Sequence, residues 1–91
     1  MFGLAIRRVV GDSMIPSYSE NNLILVKKTK HFRVGQVVGF EYNDKVLLKR
    51  ISEIKDSKYY LLGDNPNNSL DSRKLGWIDQ DKIIFKVIFK L

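Results

Sequence analysis

Two short segments of the chain contain side chains that together could hydrolyse a peptide bond. The segment Gly11 to Pro16 places Ser13 in a turn-prone stretch, and Lys49 follows later within an apolar run. A serine hydroxyl is a poor nucleophile until a neighbouring base takes its proton. The usual base is histidine, but the single histidine of this chain, His31, sits in a lysine-rich segment. A lysine is therefore the better candidate for the base.

Lys49 belongs to a predicted strand, residues 45–54, which is rich in branched apolar residues and contains no glycine or proline. Because side chains alternate along a strand, Leu47, Lys49 and Ile51 share one face. An amine acts as a base only when it is neutral. To act near neutral or mildly alkaline pH, Lys49 needs a pKa about two units below the usual ~10.4, which corresponds to roughly 2.7 kcal/mol of differential desolvation. Leu47, Ile51 and Met14 could supply apolar surroundings. The alternative is an ordinary solvated lysine.

A third segment, Gly63 to Arg73, is a polar stretch with two Asp, two Ser, a Pro and several Asn, and it predicts a loop. Such a loop could be folded by bonds from its Asn and Asp side chains and present Ser69 to a site. Asp71 and Arg73 are two positions apart, so on an extended segment they would share a face and could pair. The alternative is a polar surface loop without a chemical role.

Together these segments resemble the type I signal peptidases, a family of serine peptidases that use a Ser/Lys dyad. The resemblance covers residues 9 to 90 and identifies the chain as a minimal catalytic domain of that family without a membrane anchor. Its four motifs occur in the family's order: Ser13 to Pro16, Gly35 to Phe40, Lys49-Arg50, and Gly63 to Gly76.

The resemblance implies a role for each matching residue. Ser13 would attack the scissile carbonyl, and Lys49 would be the general base that deprotonates it. Ser69 would orient the lysine amine, while Asp71 and Arg73 would brace the loop, with Asp71 pairing with Arg73 rather than with Lys49. The reaction would be hydrolysis of a peptide bond through an acyl-enzyme ester, in removal of a leader, signal or maturation segment.

The oxyanion hole is where the chain departs from many family members. The backbone N–H of Ser13 would be one donor. Gly11 stands where many relatives carry a serine, so a second donor at that position must be backbone or water. Gln36 replaces the usual acid of its motif, and the Gly-Leu-Pro-Gly-Asp-like turn expected after Arg50 is missing. The shape of the substrate groove is therefore not predicted.

The expected fold is all-β: coiled antiparallel sheets or a partly open barrel, with at most short helical turns after Ser13 or around Ser72 to Leu75. Ninety-one residues predict a single domain, 1–91. The expected strands are 4–10, 23–28, 36–42, 45–54, 58–62 and 82–90. A tight hairpin is expected at Asn43-Asp44.

Composition narrows the range of cofactors and partners. The chain has no cysteine and only scattered acids, so we expect neither a metal nor an organic cofactor. The net charge is +6, and six basic residues lie between Lys27 and Lys49. This basic stretch could face anionic lipid headgroups, or it could be a solvated hairpin whose lysines protect sheet edges.

A membrane location is expected from the resemblance alone. No apolar run approaches the ~20 residues that span a bilayer, so we expect an excised catalytic domain or a protein that is soluble or peripheral. The segment Phe2 to Ile6 could touch a membrane or form a first strand. The expected partners are a protein or peptide with small residues before the cleaved bond, and a membrane surface or membrane-anchored protein.

Three other functions are compatible with parts of the sequence. A catalytically impaired relative could act as a binding module. The self-cleaving repressors of the DNA-damage response share the Ser/Lys dyad, but they lack the Gly63 to Arg73 motif. A small basic β-barrel could bind nucleic acid, but that function leaves both polar motifs unexplained, and we expect no nucleic-acid partner.

Overall fold

The chain folds into one open antiparallel sheet. The computed structural model describes residues 3–91, so Met1 and Phe2 of the predicted domain and of the Phe2 to Ile6 segment lie outside it. Residues 3–91 form seven strands in the order β1-β2-β7-β3-β4-β5-β6. They are β1 (Leu4–Arg8), β2 (Leu23–Lys27), β3 (Val37–Tyr42), β4 (Lys45–Lys55), β5 (Lys58–Leu62), β6 (Ile78–Asp79) and β7 (Ile83–Lys90). The predicted all-β, partly open antiparallel fold is confirmed.

Helical structure among residues 3–91 is confined to short pieces. The helix α1 (Ser72–Leu75) has four residues and lies where a helical turn was expected. Two 3-10 turns, Pro66–Asn68 and Gln80–Lys82, were not predicted. The segment after Ser13 forms turns rather than a helix.

The strand predictions were right for six strands and missed one. The missing strand, β6, has only two residues and pairs with β5 through Lys58 and Tyr59, so it is too short for periodicity to reveal it. The first strand ends at Arg8 instead of residue 10. Its end precedes Gly11, whose φ of 81° turns the chain in a way that glycine tolerates best.

The hairpin between β3 and β4 fixes the position of Lys49. Asn43 and Asp44 both have positive φ angles, 49° and 62°, as a two-residue type I′ turn requires. The turn pairs Tyr42 with Lys45, and the register then pairs Val38 with Lys49. The expected tight hairpin is confirmed.

Two apolar clusters pack on opposite faces of the central strands. The larger contains Val38, Phe40, Ile51, Tyr59, Leu61, Ile78 and Ile83, and the smaller contains Val9, Ile24, Val26 and Phe85. Directly paired residues of antiparallel strands share a face. Lys49, paired with Val38, therefore lies on the face of the larger cluster, whereas Leu48 packs against the smaller one.

The strand β4 is longer than its neighbours, and this leaves part of it unpaired. Its first half, from Lys45 to Arg50, pairs with β3. Pairing with β5 begins only at Arg50, opposite Leu62. Within residues 3–91, the stretch from Lys45 to Lys49 therefore has one free edge, and Lys49 lies where that free edge ends.

A glycine in β3 allows an aromatic ring to cover the sheet. Gly39 pairs with Phe85 of β7, and a Cβ atom on Gly39 would lie 2.4 Å from the Phe85 Cζ atom. The Phe85 ring is 4% exposed, so it has little room to move away. The glycine therefore leaves room for the Phe85 ring against β3.

We predict that Gly39→Ala lowers the free energy of unfolding by about 1–3 kcal/mol, because the added methyl group overpacks against the ring. Urea denaturation measures this. The penalty should shrink in a Phe85→Leu background, where the offending ring atoms are gone. An equal penalty in both backgrounds would show that the ring is not the obstacle.

Candidate active site

Ser13 lies in a loop of consecutive turns that is held in place by a second loop. The Tyr18 N–H donates to the Met14 carbonyl at 3.0 Å, which closes the turn after Ser13. From the polar loop, the Asn65 N–H donates to the Ser13 carbonyl at 2.8 Å, and Asn65 Nδ2 donates to the Asp12 carbonyl at 3.0 Å. Asn68 Nδ2 also donates to the Asp12 carboxylate. The position of Ser13 therefore depends on residues more than fifty positions away.

Lys49 reaches the same point from the sheet. Its Nζ atom lies 2.9 Å from Ser13 Oγ and donates a hydrogen bond to it. The residue is 2% exposed, and Met14 and Ile51, two of the three predicted apolar neighbours, are similarly buried. The third, Leu47, is half-buried. Lys49 is therefore not the solvated lysine of the alternative interpretation.

The surroundings of Lys49 favour the neutral amine. Burial lowers its pKa from the ordinary value of 10.5, because the charged form loses its hydration. The carboxylate of Asp71 acts in the opposite direction, and the guanidinium of Arg73 acts in the same direction as burial. Desolvation is the largest of these effects, so a base with a lowered pKa stands within hydrogen-bonding distance of a serine.

Asp71 is the centre of the polar loop and has no exposed side-chain surface. Its Oδ1 accepts from Arg73 Nε at 3.0 Å and from the Arg73 N–H at 3.1 Å. Its Oδ2 accepts from the Gly63 N–H at 2.8 Å, from Ser69 Oγ at 2.8 Å and from a terminal guanidinium nitrogen of Arg73. The predicted pair between Asp71 and Arg73 is present.

These hydrogen bonds keep Asp71 charged in a buried position. Burial alone would raise the pKa of the Asp71 carboxyl, but the bonds from Arg73, Gly63 and Ser69 together hold it well below its ordinary value of 3.8. Asp71 also caps α1 through the Arg73 N–H. The helix is tied to β5, since the buried Ser72 Oγ accepts from the Leu61 N–H at 2.8 Å.

Ser69 lies close to Ser13, and its hydroxyl is engaged by Asp71 rather than by Lys49. Its hydroxyl donates to Asp71, and no hydrogen bond joins it to Lys49 within residues 3–91. The orienting role expected for Ser69 is therefore not accompanied by a hydrogen bond to Lys49 among the described residues.

Gly63 explains why the two loops can approach each other so closely. A Cβ atom at this position would lie 2.1 Å from Ser69 Oγ and 2.9 Å from the Ser13 carbonyl oxygen. Any side chain larger than hydrogen would separate the loop of Ser13 from the polar loop.

A second ion pair, which was not predicted from the sequence, braces the site. Arg50 Nε donates to Asp64 Oδ1 at 3.0 Å, and a terminal nitrogen donates to Asp64 Oδ2 at 2.8 Å. Ser17 Oγ donates to the same carboxylate at 2.6 Å, and Arg50 also donates to the Gly35 carbonyl at 2.8 Å. This bidentate pair lowers the pKa of Asp64. It ties the loop of Ser13, the polar loop and β4 together.

The alternation of side chains in β4 was a signal that could have revealed this pair. Arg50 follows Lys49 and must point to the opposite face, where the polar loop offers Asp64. Spacing alone does not reveal which acid of that loop lies in reach.

The two predicted oxyanion-hole positions differ in their surroundings. Within residues 3–91 the Ser13 N–H donates no hydrogen bond to another residue. The Gly11 N–H lies 3.4 Å from Glu20 Oε1 and donates to it. Gly11 is exposed, and a Cβ atom there would meet nothing within 4 Å.

A groove of about 360 Å³ opens beside Ser13 and Lys49. One wall is the end of β1, which is the outermost strand of the sheet. The other wall is the stretch of β4 from Lys45 to Lys49, whose edge is free. The groove is lined by Arg7, Arg8, Val10, Ser13, Ile24, Lys45, Val46, Leu47, Leu48, Lys49 and Phe85.

The carboxylates of the described residues do not gather into a cluster that could bind a metal. Within residues 3–91, no three His, Cys, Asp or Glu side chains come together in a way that could hold a metal ion. No helix in the same part of the chain has the length and apolar character needed to cross a bilayer.

Comparison with known proteins identifies the family. A family model described as Peptidase S24-like matches residues 3–88. The chain belongs to this family. A signal peptidase I from Buchnera aphidicola subsp. Baizongia pistaciae (strain Bp) is 53% identical over 32 residues, which is 35% of this chain. The match spans only 10% of that relative's length.

The family assignment confirms the expected resemblance at the level of serine peptidases. As an S24-like chain, the protein carries a peptidase domain of the family to which the sequence analysis pointed. The roles of Ser13, Lys49, Ser69, Asp71, Arg73 and Gly11 remain predictions.

We predict that Asp71→Asn lowers the free energy of unfolding by about 2–3 kcal/mol near neutral pH, because it removes a buried charged acceptor. The folded-state pKa of Asp71 lies below 3.8. Its stabilisation is therefore complete above pH 3.8 and is lost as the pH falls from there towards the folded-state value. The difference between wild type and variant should shrink over that acidic range in urea denaturation.

Asp79→Asn is the matched control, because it removes the carboxylate of an exposed ion pair with Lys58. Exposed pairs contribute little to stability, so this variant should unfold like the wild type. Equal effects of the two substitutions would contradict a special role for the buried carboxylate.

Proposed function

We propose that this S24-like domain is a serine endopeptidase of the signal peptidase type, in which Ser13 is the nucleophile and Lys49 the general base. The observation that supports the proposal best is the 2.9 Å contact between Ser13 Oγ and the buried Lys49 Nζ. A lysine with a lowered pKa beside a serine hydroxyl is the arrangement that nucleophilic catalysis without histidine requires.

The chemistry follows from that contact. Neutral Lys49 accepts the proton of the Ser13 hydroxyl while Oγ bonds to the scissile carbonyl carbon. As the tetrahedral intermediate collapses, the C–N bond breaks, and the ammonium of Lys49 returns the proton to the departing amine. Water then attacks the resulting ester with Lys49 again as the base. Hydrolysis releases the carboxylate product and regenerates the Ser13 hydroxyl.

The oxyanion of each intermediate needs hydrogen-bond donors near Ser13. The free N–H of Ser13 is the donor that we assign to this role. The N–H of Gly11 would join it only if the long bond to Glu20 were broken.

Asp71, Arg73 and Ser69 act as positioning residues in this proposal. The three form a paired and hydrogen-bonded unit next to the dyad. Because Arg73 neutralises Asp71, the carboxylate raises the pKa of Lys49 less than an unpaired charge would. Ser69 acts on Lys49 through Asp71 and through its close packing against Gly63.

The substrate would be an extended segment of a protein, bound in the groove. Both walls are strand edges with free backbone groups, so a peptide can add its own hydrogen bonds as a further strand. We propose that small residues next to the cleaved bond fit beside Ser13 and that the segment removed is a leader, signal or maturation peptide. Work at a membrane surface, or with a membrane-anchored partner, forms part of the same proposal.

We predict that Ser13→Ala and Lys49→Met each reduce kcat/KM for peptide hydrolysis by at least about 10³-fold, since either change removes the proton transfer that activates the nucleophile. Cleavage of peptides with small residues before the scissile bond measures this, with and without detergent. Lys55→Met is the matched control, because it removes an exposed lysine from the far end of the same strand.

Loss of activity should not reflect loss of fold. Lys49→Met should be at least as stable as the wild type, because it removes a buried amine whose charged form is penalised. Full activity of either dyad variant would rule out the dyad. An inactive wild type that still bound these peptides would indicate an impaired relative that acts as a binding module.

We also predict that kcat/KM rises with pH and levels off once the pH exceeds the pKa of Lys49. That pKa should lie below 10.5, the ordinary value for lysine. The sign follows from the proposed role, because only neutral Lys49 can accept the serine proton and its neutral fraction grows with pH. A pH profile of kcat/KM measures this pKa. A rate that falls as the pH rises through this range would contradict Lys49 as the base.

A further inference from the structure

The groove beside Ser13 has basic side chains on both walls and no acidic side chain among its lining residues. Arg7 and Arg8 stand on the β1 wall, and Lys45 stands on the β4 wall. All three are exposed. Within residues 3–91, none of them forms a salt bridge. Among the described residues, therefore, no acid stands within ion-pair distance of these three side chains.

Basic residues around the groove differ from those that hold the site together. Arg50 pairs with Asp64 and Arg73 pairs with Asp71, and both acids belong to the polar loop. A groove whose cations have no such partner favours a ligand that supplies negative charge.

Arg7 is the best placed of the three cations. It pairs in register with Ile24, which is completely buried and lines the groove. Because paired residues share a face of the sheet, Arg7 stands on the side of the groove floor. Arg8 pairs with the exposed Leu23 and belongs to the opposite face. The chain thus places one guanidinium over an apolar floor that also carries Leu48 and Phe85.

We propose that the groove selects peptide substrates with an acidic side chain within a few residues of the cleaved bond, and that Arg7 is the specificity-determining residue. A guanidinium can bind a carboxylate through two parallel hydrogen bonds. Lys45 adds charge from the opposite wall. This inference rests on the proposed function, in which the same groove holds an extended peptide.

A peptide carboxylate fits this site better than an anionic membrane surface does. The groove is a concavity of about 360 Å³ between two strands, and an extended peptide that pairs with both edges carries its side chains into it. Lipid headgroups at a flat interface would contact the outward-facing surface of the domain rather than the inside of the groove, which Arg7 lines.

The test uses matched peptides that differ at one residue. Peptides with small residues at the cleavage point would carry Glu, Gln or Lys at each position from four before to two after it. Wild type should prefer Glu over Gln at one position by about 5- to 10-fold in kcat/KM, and the preference should weaken as salt is added. Arg7→Gln should abolish it. Lys55→Gln, which lowers the net charge equally but lies outside the groove, should retain it.

Binding separates this inference from the proposed catalytic function. Fluorescence anisotropy with the Ser13→Ala variant measures the affinity for the Glu and Gln peptides without turnover. Preference for Glu that depends on Arg7, in a protein whose wild type cleaves no peptide, would overturn the proposed function and leave the groove's selectivity standing.

Other outcomes would overturn the inference itself. Equal cleavage and equal binding of Glu and Gln peptides at every position would show that the groove does not recognise acidity. Absence of both binding and cleavage of these peptides would overturn the inference as well. An effect of Arg7→Gln that appears only with vesicles containing anionic lipid, and is the same for Glu and Gln peptides, would assign Arg7 to a membrane surface instead.

Discussion

The site depends on burying one lysine amine inside the protein, which favours its uncharged form. Removing a charged ammonium from water is costly, so a buried lysine releases its proton more readily than an exposed one. Lys49 satisfies this condition because it lies on the face of the larger apolar cluster, one residue before β4 begins to pair with β5. The sheet therefore supplies both the burial and the direction of the side chain.

The polar loop resolves a conflict that this burial creates. The polar loop lies close to Ser13 and Lys49, and it is anchored there by the carboxylate of Asp71. A free carboxylate would stabilise the ammonium of Lys49 and weaken it as a base. Five hydrogen bonds to Asp71, three of them from Arg73, satisfy its charge locally. The loop is held firmly while the lysine retains a lowered pKa.

The sequence predicted what periodicity and local pairing determine. The strand around Lys49 was predictable because alternation is a local property, and the pair of Asp71 with Arg73 was predictable because the residues are two positions apart. The bond from Asn65 to the Ser13 carbonyl was not, since it joins segments that only the folded sheet brings together. The two-residue strand β6 was missed because it exists through pairing with β5 rather than through its own sequence. Ser69 matched its family motif, yet its hydroxyl donates to Asp71 and lies against Gly63, and these contacts are not encoded in a motif.

Under the proposed mechanism, charge in the groove and the charge of Lys49 are linked. Positive groups near Lys49 disfavour its protonation, and Arg73 already acts in this way. A substrate carboxylate would act in the opposite direction, raising the pKa of Lys49 if it were bound beside the dyad. The exposed cations of the groove would limit this effect, because a carboxylate paired with the exposed Arg7 would be largely neutralised and screened by salt. A groove that recognised acidity next to Ser13 would weaken its own base, whereas recognition on the β1 wall leaves the burial of Lys49 in control of its pKa.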